Sequence, residues 1–327
     1  QHQVLPLRLV SAKRDVRARA MSSEVDALGV FTWMWAQVMV LQVVKLAITA
    51  AHAAKPLSIG ILFWPCFMGS GCFVGLVAPS SGLTTAYLCG VSFVTLWLTG
   101  SQSNHVFMDM VVCLAVLLTY SPDRRRWVAK ATHSVRLFLI VLYLVTALHK
   151  MNTDWHKPEW SCCTLMLVGV LALPPFRWAL PVVPLSAAPH FATLTEVGLP
   201  MLLIAGGPVA LRVACVCGCI FHLVICQMLS PMSVYPFSVL MAPLYVFVAP
   251  DAAMRMFVWV RRRLQVIVPL FAIVCAIWTP LMASGDLPEG EAPFEYPAYG
   301  SWAPGVVWCN FAYAGLIGAM VAARSVD

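Results

Sequence analysis

The chain is 327 residues long, 61% hydrophobic and only 11% charged, with a formal net charge of +7 and a mean hydropathy of +0.82. Soluble domains carry roughly 25% charged residues, so this balance excludes a soluble enzyme and a nucleic-acid-binding module and leaves no room for a sizeable soluble domain. The chain reads as a polytopic membrane protein, all-α, a transmembrane helical bundle of about ten spans plus one interfacial helix.

Residues 1–26 form a basic arm with Lys13, Arg14, Arg17 and Arg19. Starting at Gln1 and poor in acidic residues, the arm is expected to be a trimmed organellar import sequence. Apolar stretches of spanning length, enough for a hydrocarbon core about 30 Å thick, follow near 27–50, 57–77, 82–99, 104–120 and 133–152. Ser161 to Leu173 is too short to span and runs into Pro174 and Pro175, which predicts an interfacial or re-entrant helix. Five further spans are expected near 189–206, 208–229, 234–250, 263–283 and 303–323. The last two are joined by the acidic loop 285–300, with Asp286, Glu289, Glu291 and Glu295. Residues 27–260 thus make one transmembrane domain, and 261–327 add two C-terminal spans.

Charge bias orients the bundle. The basic arm, the run Asp123 to Lys130 and Arg261 to Arg263 all fall on one side of a ten-span arrangement, and the acidic loop falls on the other. The positive-inside rule then puts both termini on the basic face. The opposite face is called trans here. The 12 Trp suit interfacial anchoring, and equally suit stacking against a bound pigment or quinone.

Ionisable residues inside apolar spans are costly and mark functional sites by default. His105 opens the fourth span on the trans side, and Asp109 lies one turn deeper on the same helical face. Lys150 closes the fifth span at its trans end, Glu196 lies about 10 Å into the sixth, and His222 is about 21 Å from the cis start of the seventh. All five are expected in the trans half, where one polar cavity explains them together. Taken singly, Lys150 could snorkel to the headgroups, His105 could cap a helix, and Asp109 could satisfy backbone groups at a bend. Glu196, followed by Gly198 and Pro200, could stabilise a broken helix, and His222 could be a hydrogen-bonded core histidine. The 12 cysteines do not show zinc-site spacing: Cys215 and Cys219 share a face as packing residues, while Cys162 and Cys163 sit beside the trans loop. No metal site is expected, and no glycine-rich phosphate loop, CxxCH haem site or HExxH motif occurs.

Four stretches recur in a recognisable order: Asn104-His105 followed by SPDRRRW, then ALHKMNTDW with Ser161-Cys162, then TEVGLPMLL, then FHLVICQMLSPMSVYPFSVLMAPLYVF. Together they resemble the membrane domain of vitamin K-dependent gamma-glutamyl carboxylase and, more broadly, the horizontally transferred transmembrane domain family, over residues 25–260. The resemblance implies that Lys150 matches the catalytic lysine and His105 the catalytic histidine. Glu196 and His222 match polar positions of the family pattern, and Asn104, Asp109, Glu196 and His222 are expected to bind the cofactor. The resemblance implies a reduced naphthoquinone-type cofactor, on which a neutral lysine acts as base. The large C-terminal soluble region that presents peptide to the carboxylase has no counterpart here, so peptide carboxylation is not expected.

Two functional expectations follow. One is a scaffold subunit of an organellar energy-transducing complex, a photosystem or respiratory chain in a thylakoid or mitochondrial inner membrane. It would keep a quinone or lipid site, contact membrane lipids and other membrane subunits, and hold chlorophyll or carotenoid if it belongs to a photosystem. The alternative is a carboxylase-like enzyme, with the endoplasmic reticulum as the alternative location. A transporter is disfavoured because no internal inverted repeat is visible.

Overall fold

The computed structural model describes residues 26–52, 59–98, 104–157, 161–172, 177–179, 181–227, 235–283 and 303–322. The basic arm and the 285–300 loop lie outside them. Within the described residues the chain is all-helical. Its helices are α1 (Ala27–His52), α2 (Ile59–Val77), α3 (Gly82–Leu98), α4 (Asn104–Leu118), α5 (Arg124–Lys150), α6 (Cys162–Ala172), α7 (Ala188–Ala205), α8 (Pro208–Ile225), α9 (Tyr235–Leu244), α10 (Pro250–Arg261), α11 (Leu264–Ala283) and α12 (Ala303–Ala322). Five segments are long and apolar enough to cross a membrane: Ala27–Val44, Arg124–Lys150, Leu185–Ala205, Pro208–Ile225 and Pro304–Ala322. A sixth is added if the bent pair α9–α10 counts as one span.

These helices are apolar on their outer faces as well as their inner ones, as expected for a bundle solvated by hydrocarbon. On α5, Leu137, Val141, Val145 and Leu148 face outward while Val135, Leu139, Tyr143 and Ala147 are buried. Aromatic packing holds the centre: Phe31 stacks on Trp35 (5.3 Å between ring centroids) and meets Phe247 (5.1 Å). Small residues let backbones approach. A Cβ on Gly75 would lie 2.9 Å from the Ala36 Cβ.

Local chemistry sets the helix ends. Asp26 accepts from the Gly29 N–H (2.9 Å) at the start of α1 and forms a two-point pair with Arg124 (both 2.8 Å). Asp123 caps α5 by accepting from the Arg125 N–H (3.0 Å). α5 therefore starts at Arg124 rather than near 133. The basic run is the first turns of the helix, because Arg and Lys favour helix and their stems can lie along apolar surface. Between α7 and α8, Gly206 takes φ 68°, a left-handed conformation that a Cβ disfavours, and Pro208 opens the next helix.

The stretch expected as one span near 234–250 is broken instead. α9 leads through a 3-10 turn at Tyr245–Phe247 into α10, with a bend of 110°. Pro243 inside α9 and Pro250 at the start of α10 each remove an N–H donor. The carbonyls freed at the bend are taken up by Arg136 of α5, whose guanidinium donates to Phe247 O (2.8 Å) and Val248 O (3.4 Å). Non-helical backbone at membrane depth needs such a partner.

α12 packs into the centre of the bundle. Val306, Val307, Cys309, Tyr313 and Leu316 are buried. The Trp308 indole donates to Gln37 (2.8 Å), and Gln227 of the α8 terminus donates to Asn310 (2.6 Å).

Candidate functional site

Lys150 is the last residue of α5, and Glu196 lies two turns inside α7. The packing of α5 on α7 brings them together, and the Lys150 ammonium donates to Glu196 Oε1 as a buried ion pair. The side chains are 19% and 6% exposed. Among the described residues the Glu196 Oε2 atom has no hydrogen-bond partner. The Thr146 hydroxyl, one turn before Lys150, donates to the Tyr143 carbonyl (3.0 Å) and lies beside the Glu196 carboxylate.

The motif after Lys150 folds over the pair. Asn152 donates to the His149 carbonyl (2.8 Å) and accepts from the Trp155 N–H (2.8 Å). This tight turn swings the Trp155 ring to 4.8 Å from Lys150 Nζ, a cation–π distance. Its indole N–H reaches Pro189 O (3.4 Å). His156 and His190 stack beside it at 4.7 Å.

The start of α6 closes another side. Ser161 Oγ is buried without a partner, as is Thr164 Oγ1. Cys162 and Cys163 are free thiols close enough to feel the Lys150 charge. A hydrogen bond from the Cys163 thiol, with the Lys150 charge adding to it, holds the Cys162 thiol down to about 7 against the opposing effect of burial. Cys163 is pushed up by the same contact.

A second polar group lies deeper. Tyr143 Oη is 2.7 Å from His222 Nε2 and 2.6 Å from Tyr245 Oη, and His222 Nδ1 is 3.3 Å from Ser238 Oγ. Tyr313 stacks on the His222 ring at 5.9 Å and donates to Ser238 O. Both nitrogens of His222 are thus engaged, the arrangement of a hydrogen-bonded core histidine. The Glu196 carboxylate acts electrostatically on Tyr143, so this network adjoins the ion pair.

The sequence-predicted residues are therefore divided. Lys150 and Glu196 touch, and His222 is linked to their neighbourhood through Tyr143. Asp109 stands apart. From the Trp127 to Val116 hydrogen bond (3.0 Å) that joins α5 to α4, Asp109 and Lys150 lie roughly 10 Å and 35 Å along their helices. Among the described residues no charged group acts on Asp109, whereas Lys150 and Thr146 act on Glu196. Asn104 and His105 open α4, and their side chains lie outside the described residues. No group of three metal-ligating side chains is present among the described residues.

Sequence reasoning overlooked Tyr143, Tyr245, Tyr313, Ser238, Trp155 and Arg136. Tyr143 was accessible to it, two turns before Lys150 on the same helical face. Arg136 was a cation inside a predicted span and belonged with the other intramembrane charges. No protein-family model matches the chain, and no match is found among curated proteins or solved structures.

Proposed function

We propose that this chain is an integral membrane subunit of about ten spans with a carboxylase-like fold. It acts as a scaffold in an organellar energy-transducing complex and holds the polar head of a quinone or lipid at the Lys150–Glu196 pair. The observation that carries the ligand site is the pair itself, with unpartnered Glu196 Oε2, Ser161 Oγ and Thr164 Oγ1 at the adjoining ends of α7 and α6. Buried polar groups normally have partners. A ligand hydroxyl would donate to Glu196 and accept from Ser161 or Thr164, and a ligand carbonyl would accept from Lys150 and the remaining hydroxyl.

The pairing also weighs between the two functional readings. A lysine acts as base only through a free lone pair, and an ammonium bonded to a carboxylate has none. The enzyme reading, a carboxylase-like reaction on a reduced naphthoquinone with Lys150 as base, requires Glu196 to hold the proton during turnover. Partnership in a complex is tested by the native mass of the protein in gently solubilised source membranes, with co-migrating proteins identified by mass spectrometry. Migration with photosystem or respiratory-chain subunits is expected. Migration alone, together with oxidation of reduced naphthoquinone that Lys150→Met abolishes, would replace the scaffold by the enzyme.

A further inference from the structure

A second group of buried polar side chains lies on α1, α3 and α4, apart from the Lys150–Glu196 site. Thr32 and Thr85 hydrogen bond through their hydroxyls (2.7 Å) and register α1 against α3. One turn further along both helices come Trp35 and Cys89, and Cys113 of α4 meets both. Because α4 returns from α3, the next turn brings Asp109 to the level of Ser92 and Thr95.

Among the described residues, Asp109, Trp35, Ser92 and Thr95 are buried and have unpaired polar atoms. Asp109 is 1% exposed, and Trp35, Ser92 and Thr95 are 0% exposed. Both carboxyl oxygens of Asp109, the Trp35 indole nitrogen and the hydroxyls of Ser92 and Thr95 have no hydrogen-bond partner among the described residues. The hydroxyls are informative because the alternative was available. Thr32, Thr85, Thr119 and Thr193 all bond back to the carbonyl four residues earlier, whereas Ser92 and Thr95 do not. Five unsatisfied atoms within about two turns of these helices, in a structure where such groups are rare, mark a place built for an occupant.

The donor and acceptor set identifies that occupant. The indole offers only a donor, the hydroxyls offer both, and the carboxyl accepts or, when protonated, also donates. A hard cation such as calcium or magnesium takes oxygen ligands and would leave the indole N–H pointing at a positive charge. Water satisfies all four side chains at once. We infer that Asp109 is a proton-binding carboxyl in an internal hydrated pocket, with waters held by Trp35, Ser92 and Thr95. Its nearest titratable neighbour is Cys113 on its own helix, which in turn meets Cys89 of α3 and the indole of α1; among the described residues no charged side chain acts on Asp109. Asp109 lies about 8 Å below the start of α4, so exchange runs toward the side where α3 turns into α4.

Infrared spectroscopy of the full chain in lipid nanodiscs tests this. The wild type is expected to show a carboxylic-acid carbonyl band that moves on transfer to D2O. Asp109→Asn should remove it and Glu196→Gln should leave it in place. Ser92→Ala and Thr95→Val should shift its frequency by removing hydroxyls that order the water, which keeps the inference open to test if Asp109→Asn does not insert. A spectrum without a band that depends on Asp109, or a band unmoved in the Ser92 and Thr95 variants, would overturn it. Loss of the band on adding sodium or potassium ions would also do so, in favour of a cation site.

Discussion

At the residue scale, the chemistry beside Lys150 is most accessible through Cys162. A thiol reacts as its thiolate. A thiol held at about 7 rather than 9.0 is about half ionised at pH 7, where an ordinary one is about 1% ionised. Alkylation of Cys162 should therefore rise through neutral pH, with Cys163 remaining slow. Lys150→Met should shift the rise to higher pH, because one of the interactions that favours the thiolate is gone; the bond from Cys163 remains, so the shift is partial. Rates measured by mass spectrometry from pH 6 to 9 check both, and an identical profile in the variant would remove Lys150 from the surroundings of Cys162. Lys150 and Glu196 were legible in the sequence as charges inside apolar stretches, since such charges are few. Their direct contact was not, because it depends on α5 and α7 packing across a long connection. Asp109 was legible as a buried acid, but its separation from the pair depends on which face of α4 meets α1 and α3.

Elements are read from sequence by apolar length, and here that works where helices are regular. α1, α7, α8, α11 and α12 fall where their apolar runs predict. It fails where backbone direction changes inside an apolar run: α9 and α10 share continuous hydrophobicity, and only Pro243, Pro250 and the distant Arg136 produce the bend. Interhelical fit is less visible still. Tyr245 at this bend packs against α8 where a Cβ on Gly218 would lie 1.9 Å from its hydroxyl. Gly218→Ala must displace that ring and break its 2.6 Å bond to Tyr143. Overpacking of this kind costs about 1–3 kcal/mol. Thermal unfolding in detergent should show Gly218→Ala less stable, whereas Gly90→Ala, with open space around it, should melt like the wild type. Equal melting of the two variants would mean that Tyr245 does not pack so closely.

For the whole molecule, composition points to helices that meet hydrocarbon, and five of those described have the length and apolarity to cross it. The inward placement of α12 was not legible, since a tenth apolar run reads as an addition to the bundle until Tyr313 is seen stacked on His222. This centre of tyrosines, histidine and serine is fully enclosed, whereas the Lys150–Glu196 pair lies at the end of α5 under Trp155. A ligand would therefore enter at the pair and leave the central network closed.

Retention of a ligand by the purified protein tests that account most directly. Wild type and Lys150→Met, taken from the source membrane in mild detergent and extracted with organic solvent, are compared by mass spectrometry for quinones and lipids. The expected result is one species retained in near-stoichiometric amount by the wild type and lost from the variant while the fold, read by circular dichroism, persists. Equal retention by both proteins, or none by either, would contradict a headgroup site at Lys150 and Glu196.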